Sequence, residues 1–273
     1  MASADQPAPP ANTQPPLSDA LAQAAIAFVR PGMTVGLGTG RAAARFVRAL
    51  ADAASRQQTS FTCVSTSEAT TTLATSLGLR VMSLADVRSI DVLVDGADEV
   101  DPQCRMIKGG GGAMTRERIV AHVASRCVYI VDEAKLSQRL GAKRLLPVEV
   151  VPLAAASVER ALGGLGLRAA GAEHGAAGQS KAIRRKAASG GGASDSGAPF
   201  VTDNHGWVLD VELDVRSDGE LEELDASVKR LPGVIDHGLF LKECHTLLIE
   251  DASGGVRTLM PLTGDRSKSA ARS

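Results

Sequence analysis

Apolar residues along the first half of the chain recur at two alternating periods. Leu21, Ala24, Ala25 and Phe28 fall at helical spacing behind Ser18, a residue type that caps helices, and Pro31-Gly32 stops the run. A short apolar strand is predicted at 34–37, followed by GLGTG (Gly36 to Gly40) and a helix over 41–53. The alternation continues with strands at 61–64, 90–94 and 128–131, and helices at 67–77, 114–125 and 133–140. Strands alternating with helices imply a parallel sheet covered on both faces, and such sheets bind ligands beyond the carboxyl ends of their strands. GLGTG, TSEAT, DGADEVD and a lysine-glycine run all follow predicted strands.

The rhythm changes after Pro147. Strands at 148–151, near 182–185, at 207–213 and at 239–241, with helices at 154–162 and 221–231, give the order βαββαβ of a ferredoxin-like unit. Between them, 169–199 is dense in Gly, Ala and Ser and reads as a long loop, with its basic cluster KAIRRK in solvent. The apolar stretches 246–249 and 256–260 predict a hairpin returning to the first unit. The fold class is therefore α/β: a Rossmann-like parallel sheet domain with helices on both faces plus a smaller ferredoxin-like α+β domain. The expected division is a disordered tail at 1–16, a catalytic domain at 17–143 and 244–262, the ferredoxin-like domain at 144–243, and a second tail at 263–273.

Composition narrows the partners. With 30 basic and 31 acidic residues, the net charge of −1 lacks the basic excess of nucleic-acid-binding domains. No apolar run is long enough for a membrane span, and the proline-rich start does not resemble a signal peptide. Cys63, Cys104, Cys127 and Cys244 form no CxxC pair and sit beside no histidine at metal-ligand spacing, which fits buried free thiols in a reducing cytoplasm. No cofactor or metal is expected.

Three loops carry candidate chemistry. Gly36 and Gly38 fit the start of a dinucleotide fingerprint, but its third glycine falls on Arg41 and no P-loop lysine follows. What remains is a tight turn into a helix N-terminus, either purely structural or an anion site suited to phosphate. In DGADEVD, Asp95, Asp98, Glu99 and Asp101 crowd four carboxylates at a strand end, as a charged surface loop or a cation site, though the spacing fits no calcium loop. The stretch IKGGGGAM places Lys108 before Gly109 to Gly112, and a helix starts at Met114. Consecutive glycines let backbone amides converge on an anion, and the helix dipole and the lysine add to the same field. Glu117 lies one turn into that helix among Ala113, Met114, Val120 and Ala121, either an ordinary exposed helix glutamate or a carboxyl that these apolar surroundings partly desolvate and raise toward a general base's range. Arg116 and Arg118 point to other faces and read as surface charges. The five histidines form no constellation.

In order along the chain, GLGTG, TSEAT, VDGADEVD, MIKGGGGAMTRERI, VDEAKL, LPVEVVP, FVTDN and LPGVIDHGLF resemble the ribose-5-phosphate isomerase A family. The likeness spans about 17–260, apart from 169–199. It implies an aldose–ketose isomerase that interconverts D-ribose 5-phosphate and D-ribulose 5-phosphate without a metal, in the non-oxidative pentose phosphate pathway. It implies Glu117 as the base moving a proton between C2 and C1 through a cis-enediolate. Asp95 and Asp98 would meet sugar hydroxyls, and Lys108 with Gly109, Gly110 and Gly111 would stabilise the enediolate. Thr39, Gly40, Arg41 and Ala42 would hold the phosphate, Gly96 and Ala97 would line the sugar site, and Lys135 would reach in from the next loop. A homodimer or homotetramer is the expected assembly. At the phosphate end the chain departs from the family: Arg41 replaces a small hydroxyl residue, Ala42 a threonine, and Ser18 stands near the usual lysine. A non-catalytic sugar-phosphate sensor, an isomerase of another sugar phosphate and an acyl-CoA transferase are the competing readings.

Overall fold

A computed structural model describes residues 19–165, 167–169, 183–187, 198–213, 215 and 217–261. Both predicted tails, Ser18 and most of the 169–199 loop lie outside these residues. The first helix, α1 (Ala20–Ile26), is capped by Asp19, whose side chain accepts from the Ala22 N–H. Next come β1 (Thr34–Leu37), α2 (Arg41–Gln57), β2 (Thr62–Ser65), α3 (Glu68–Ser76), β3 (Arg80–Val81) and β4 (Val92–Asp95). Phe46, Val47, Leu50 and Ala53 form the buried stripe of α2 at helical spacing. Its two largest members, Phe46 and Leu50, are fully buried and contribute roughly 2–3 kcal/mol each.

After β5 (Glu99–Val100) and β6 (Met106–Ile107) come α4 (Met114–Val123), β7 (Cys127–Asp132) and β8 (Leu146–Val150). The chain continues through α5 (Ala155–Gly164), β9 (Arg168–Ala169), β10 (Ile183–Arg184), β11 (Trp207–Glu212), α6 (Asp218–Lys229), β12 (Val234–His237), β13 (Leu239–Phe240), β14 (Thr246–Glu250) and β15 (Val256–Leu259).

The large sheet runs β15-β14-β7-β4-β1-β2-β3 and is parallel except for its antiparallel β14–β15 hairpin. Its order reverses between β1 and β4, so GLGTG and DGADEVD leave neighbouring strands at the switch point, where open α/β sheets bind ligands. Close approach explains the glycines here. A Cβ on Gly38 would lie 2.1 Å from Asp95 Oδ1 and 2.5 Å from Asp95 Cα. The smaller antiparallel sheet runs β10-β11-β8-β12, with β9 also on β11, as the βαββαβ order requires.

Two predicted elements differ. The fourth strand of the small sheet is β12, not 239–241; β13 instead pairs with β6. Gly238 separates the two strands, and a Cβ there would lie 2.1 Å from the Lys108 carbonyl oxygen. The predicted helix 133–140 is only a 3-10 turn, Glu133–Lys135. Lys143 Nζ takes the Ala134 and Leu136 carbonyls at 3.0 and 2.5 Å, and Ser137 N–H donates to Val100 O, so the helical ladder is diverted.

Candidate active site

Lys108 leaves β6 at the seam between the sheets, its N–H bonded to Gly238 O at 2.9 Å. Only 2% of the residue is exposed. Its Nζ donates to Gly96 O at 2.5 Å and lies 2.9 Å from Asp95 Oδ2 and 3.3 Å from Glu117 Oε2. The rings of Tyr129 and Phe240 flank the ammonium at 5.4 and 5.6 Å. Burial alone would depress this amine, but the charges of Asp95 and Glu117 outweigh it and hold its pKa above the ordinary lysine range. Lys108 therefore stays cationic.

Its two carboxylate neighbours differ. Asp95 is wholly buried and accepts from the N–H groups of Gly96 and Thr39 at 2.7 and 3.1 Å. Burial raises its pKa, while Lys108 and these amides oppose the rise. Glu117, 4% exposed, is carried by α4 to the other side of the ammonium. Desolvation, opposed by Lys108 and assisted by Asp95 and Asp98, pushes its carboxyl up to about 8. Glu117 Oε2 is buried and has no hydrogen-bond donor. It faces the ammonium at ion-pair distance only.

What aims Glu117 is the polar strapping of α4. Thr115 donates to the buried Glu149 carboxylate, which also accepts from Thr202. Arg116 pairs with Glu68 at 2.7 Å and donates to Asn204 Oδ1 at 2.9 Å and Asp203 O at 2.8 Å. Arg118 pairs with Asp236 and Glu243 at 2.7 and 2.6 Å, donates to His237 O and Leu239 O, and stacks 4.1 Å from the Phe240 ring. Neither arginine is the idle surface charge expected from the sequence. Each fixes the azimuth of the helix that carries the carboxyl.

These groups floor a cavity of about 360 Å³, within the roughly 300–1,000 Å³ range of small-molecule sites. Of the residues singled out from the sequence, Thr39, Gly40, Arg41, Ala42, Gly96, Ala97, Asp98, Lys108, Gly109, Gly110, Gly111, Glu117 and Lys135 all line it. Asp95 lies behind them, against Lys108. Gly109 has φ +92° and Gly112 φ +81°, values that favour glycine, and Gly112 N–H closes a turn onto Gly109 O. Gly110 N–H donates to Asp98 Oδ2 at 2.7 Å. At the other end, α2 starts at Gly40 (φ +100°) with no side-chain cap and no acidic residue in its first turn. Its orphan N–H groups suit an anion. The Thr39 hydroxyl is already engaged with those of Thr66 and Ser67 at 2.7 and 2.8 Å, which gives TSEAT a supporting role. Among the described residues, no three His, Cys, Asp or Glu side chains are placed to hold a metal ion.

Asp132 and Arg144 also line the cavity and were not anticipated. Arg144 arrives through Glu99, the third carboxylate of DGADEVD. Wholly buried, Glu99 accepts from the N–H groups of Gly141, Lys143 and Arg144, each at 3.1 Å. It thus folds the segment that presents Arg144 and, through Lys143, fixes the turn bearing Lys135. Charge crowding in the motif was visible in the sequence; a partner more than 40 residues away was not.

Residues 62–254 match the family model described as ribose 5-phosphate isomerase A (phosphoriboisomerase A). The ribose-5-phosphate isomerase A of Parvibaculum lavamentivorans is 40% identical over 222 residues, covering 81% of this chain and 88% of its own length. That of Sphingopyxis alaskensis is 38% identical, covering 82% and 88%. Among solved structures, ribose 5-phosphate isomerase A from Methanocaldococcus jannaschii superposes with a TM-score of 0.76 at 32% identity, covering 89% and 98% of the two chains. A D-ribose-5-phosphate isomerase in complex with phospho-erythronic acid gives 0.78 at 30% identity, covering 89% and 97%.

Proposed function

This chain belongs to the ribose 5-phosphate isomerase A family, and we propose that Glu117 is the base with which it moves a proton between two carbons of an open-chain pentose phosphate. The reaction is the reversible aldose–ketose isomerisation of D-ribose 5-phosphate and D-ribulose 5-phosphate in the pentose phosphate pathway. Glu117 takes the C2 proton of the aldose. The electron pair left behind moves into a C1–C2 double bond, and the carbonyl oxygen gains negative charge. Lys108 and the amides of the glycine run meet that charge as it develops, which is where such donors lower a barrier most. Asp98, at the cavity wall, exchanges the hydroxyl proton between O1 and O2. Glu117 then returns its proton to C1, giving the ketose. Asp95 keeps Lys108 cationic throughout. The phosphate sits at the open N-terminus of α2, with Arg41 and Lys135 beside it.

The observation that carries this reading is the placement of Glu117 Oε2 3.3 Å from Lys108 Nζ at the floor of the cavity, with its pKa raised to about 8. Following ribulose 5-phosphate formation spectroscopically tests the reaction, and Glu117→Gln tests the role. The variant should bind substrate nearly as the parent does and turn over at least about 10²-fold more slowly, as for loss of a general base. Turnover equal to the parent's would remove Glu117 from the mechanism.

The proposed domain division sets the large parallel sheet apart from the β10-β11-β8-β12 sheet, and most cavity-lining residues fall in the first portion. A homodimer or homotetramer fits the exposed apolar residues Val151, Leu153 and Ile235 around edge strand β12, and native mass measurement tests it. The cytoplasm fits the four buried cysteines. No described helix is long and apolar enough to cross a membrane.

A further inference from the structure

Four successive glycines can adopt many backbone conformations, so a stable amide cradle needs something to hold its peptides. Arg185, from the KAIRRK cluster, is in contact with them. Its Nη1 donates to Gly109 O at 2.9 Å and to Gly110 O at 3.1 Å. The opposite edge of the guanidinium is fixed by Asp210, with Nε 2.8 Å from Oδ2. Phe200 flanks the guanidinium at 5.8 Å from its ring centroid. The same ring packs on the glycine turn, where a Cβ on Gly112 would lie 2.3 Å from Phe200 Cε1. Arg185 is thus clamped, not solvated as expected from the sequence; its side chain is 18% exposed.

The consequence follows from peptide geometry. In a trans peptide, the C=O of one residue and the N–H of the next point in opposite directions. No described peptide is cis. Drawing the Gly109 and Gly110 carbonyls toward Arg185 therefore turns the N–H groups of Gly110 and Gly111 the other way. Gly110 N–H then meets Asp98 in the cavity wall at 2.7 Å. Gly111 N–H has no acceptor among the described residues and remains available to a ligand.

We propose that Arg185 is a positioning residue for the isomerisation, holding two carbonyls of the glycine run so that Gly110 N–H stays on Asp98 and Gly111 N–H stays aimed at the developing enediolate. This rests on the reading that the cradle takes that oxyanion. Lysine could not substitute, because one ammonium cannot span both carbonyls and the Asp210 carboxylate as a planar fork does.

The test compares the parent chain, Arg185→Lys and Arg185→Met in ribose 5-phosphate turnover and in inhibition by two probes. Phospho-erythronic acid carries a planar carboxylate that resembles the enediolate, whereas inorganic phosphate reports the far end of the cavity alone. Arg185→Lys should lower kcat about tenfold or more and weaken phospho-erythronic acid by a similar factor, with KM and phosphate inhibition changed by less than about threefold. Inhibition constants do not depend on the fraction of folded protein, and if Arg185→Met fails to fold, Arg185→Lys decides. Equal weakening of both probes would mark a structural role and overturn the inference, as would a kcat and inhibitor affinity equal to the parent's. A parent chain inactive on ribose 5-phosphate would instead defeat the functional reading, and the inference with it.

Discussion

The two ends of the cavity are built differently. At the end proposed for proton transfer, Asp95, Lys108 and Glu117 are each no more than 4% exposed, and every one has its orientation fixed by another element. At the end proposed for the phosphate, Arg41 and Arg144 are exposed, Ala42 offers no hydroxyl, and the Thr39 hydroxyl is turned to its neighbours. A proton acceptor needs a tuned pKa, and only a dry, rigid setting tunes one. A dianionic phosphate needs only positive potential, which orphan amides and flexible cations supply in several arrangements. Substitution should therefore be severe at the first end and graded at the second.

The largest effect is expected at Lys108. Lys108→Met keeps most of the length of the side chain but leaves Asp95 buried without its counter-ion, which should cost about 3–5 kcal/mol of stability. Turnover should fall by roughly 10³-fold as the main charge facing the enediolate disappears. Urea denaturation and the isomerisation assay check both effects. A loss below tenfold in turnover would mean that the amides alone carry the oxyanion.

A smaller and opposite effect is expected at Glu117. Its carboxyl keeps a proton in the folded chain up to about pH 8, whereas its ordinary value is 4.5. Between these values the folded state binds more protons than the unfolded one, so stability falls as pH rises. The group's contribution is fully present below pH 4.5 and lost once pH passes about 8. Glu117→Gln should thus be more stable than the parent at pH 8, by roughly 2–5 kcal/mol, with the gap closing toward pH 5. The parent's kcat/KM should climb with pH up to about 8, because a base must be unprotonated to accept. A stability gap independent of pH would contradict the raised pKa.

The same contrast explains what was legible in the sequence. The parallel sheet, the ferredoxin-like order and the line-up of loops at strand ends follow from local periodicity, which short-range sequence carries. Glu117's burial was half readable: Ala113, Met114, Val120 and Ala121 flank it on its own helix, but the same stretch also fits an exposed glutamate until the fold covers it. Long-range polar partners were not readable. Arg116, Arg118 and Arg185 resemble surface charges until Glu68, Asp236 and Asp210 are brought to them by the fold. Glu99 resembles another acidic ligand until three backbone N–H groups converge on it. The helix predicted at 133–140 failed for the same reason: Lys143 captures carbonyls that local propensity assigns to a ladder.

Arg41 is where the contrast is finest. It occupies the first position of α2, lines the cavity, and makes no ion pair among the described residues. Its guanidinium is free to meet a phosphate in two-point fashion, replacing the hydroxyls that Arg41 and Ala42 displace. Because the site is open to solvent, the contact should be worth only about 1 kcal/mol and weaken with salt. A phosphate contact remote from the reacting carbons would be made equally in ground and transition states, so its loss should raise KM and spare kcat. The variant Arg41→Ser with Ala42→Thr should therefore raise KM about three- to tenfold at low ionic strength, with kcat within about twofold of the parent. Repeating the measurement in higher salt should narrow the gap, since screening removes the arginine's advantage but leaves a hydroxyl's hydrogen bonds. A lower KM in the double variant would identify Arg41 as an obstruction, and would leave the phosphate to the α2 amides with Lys135.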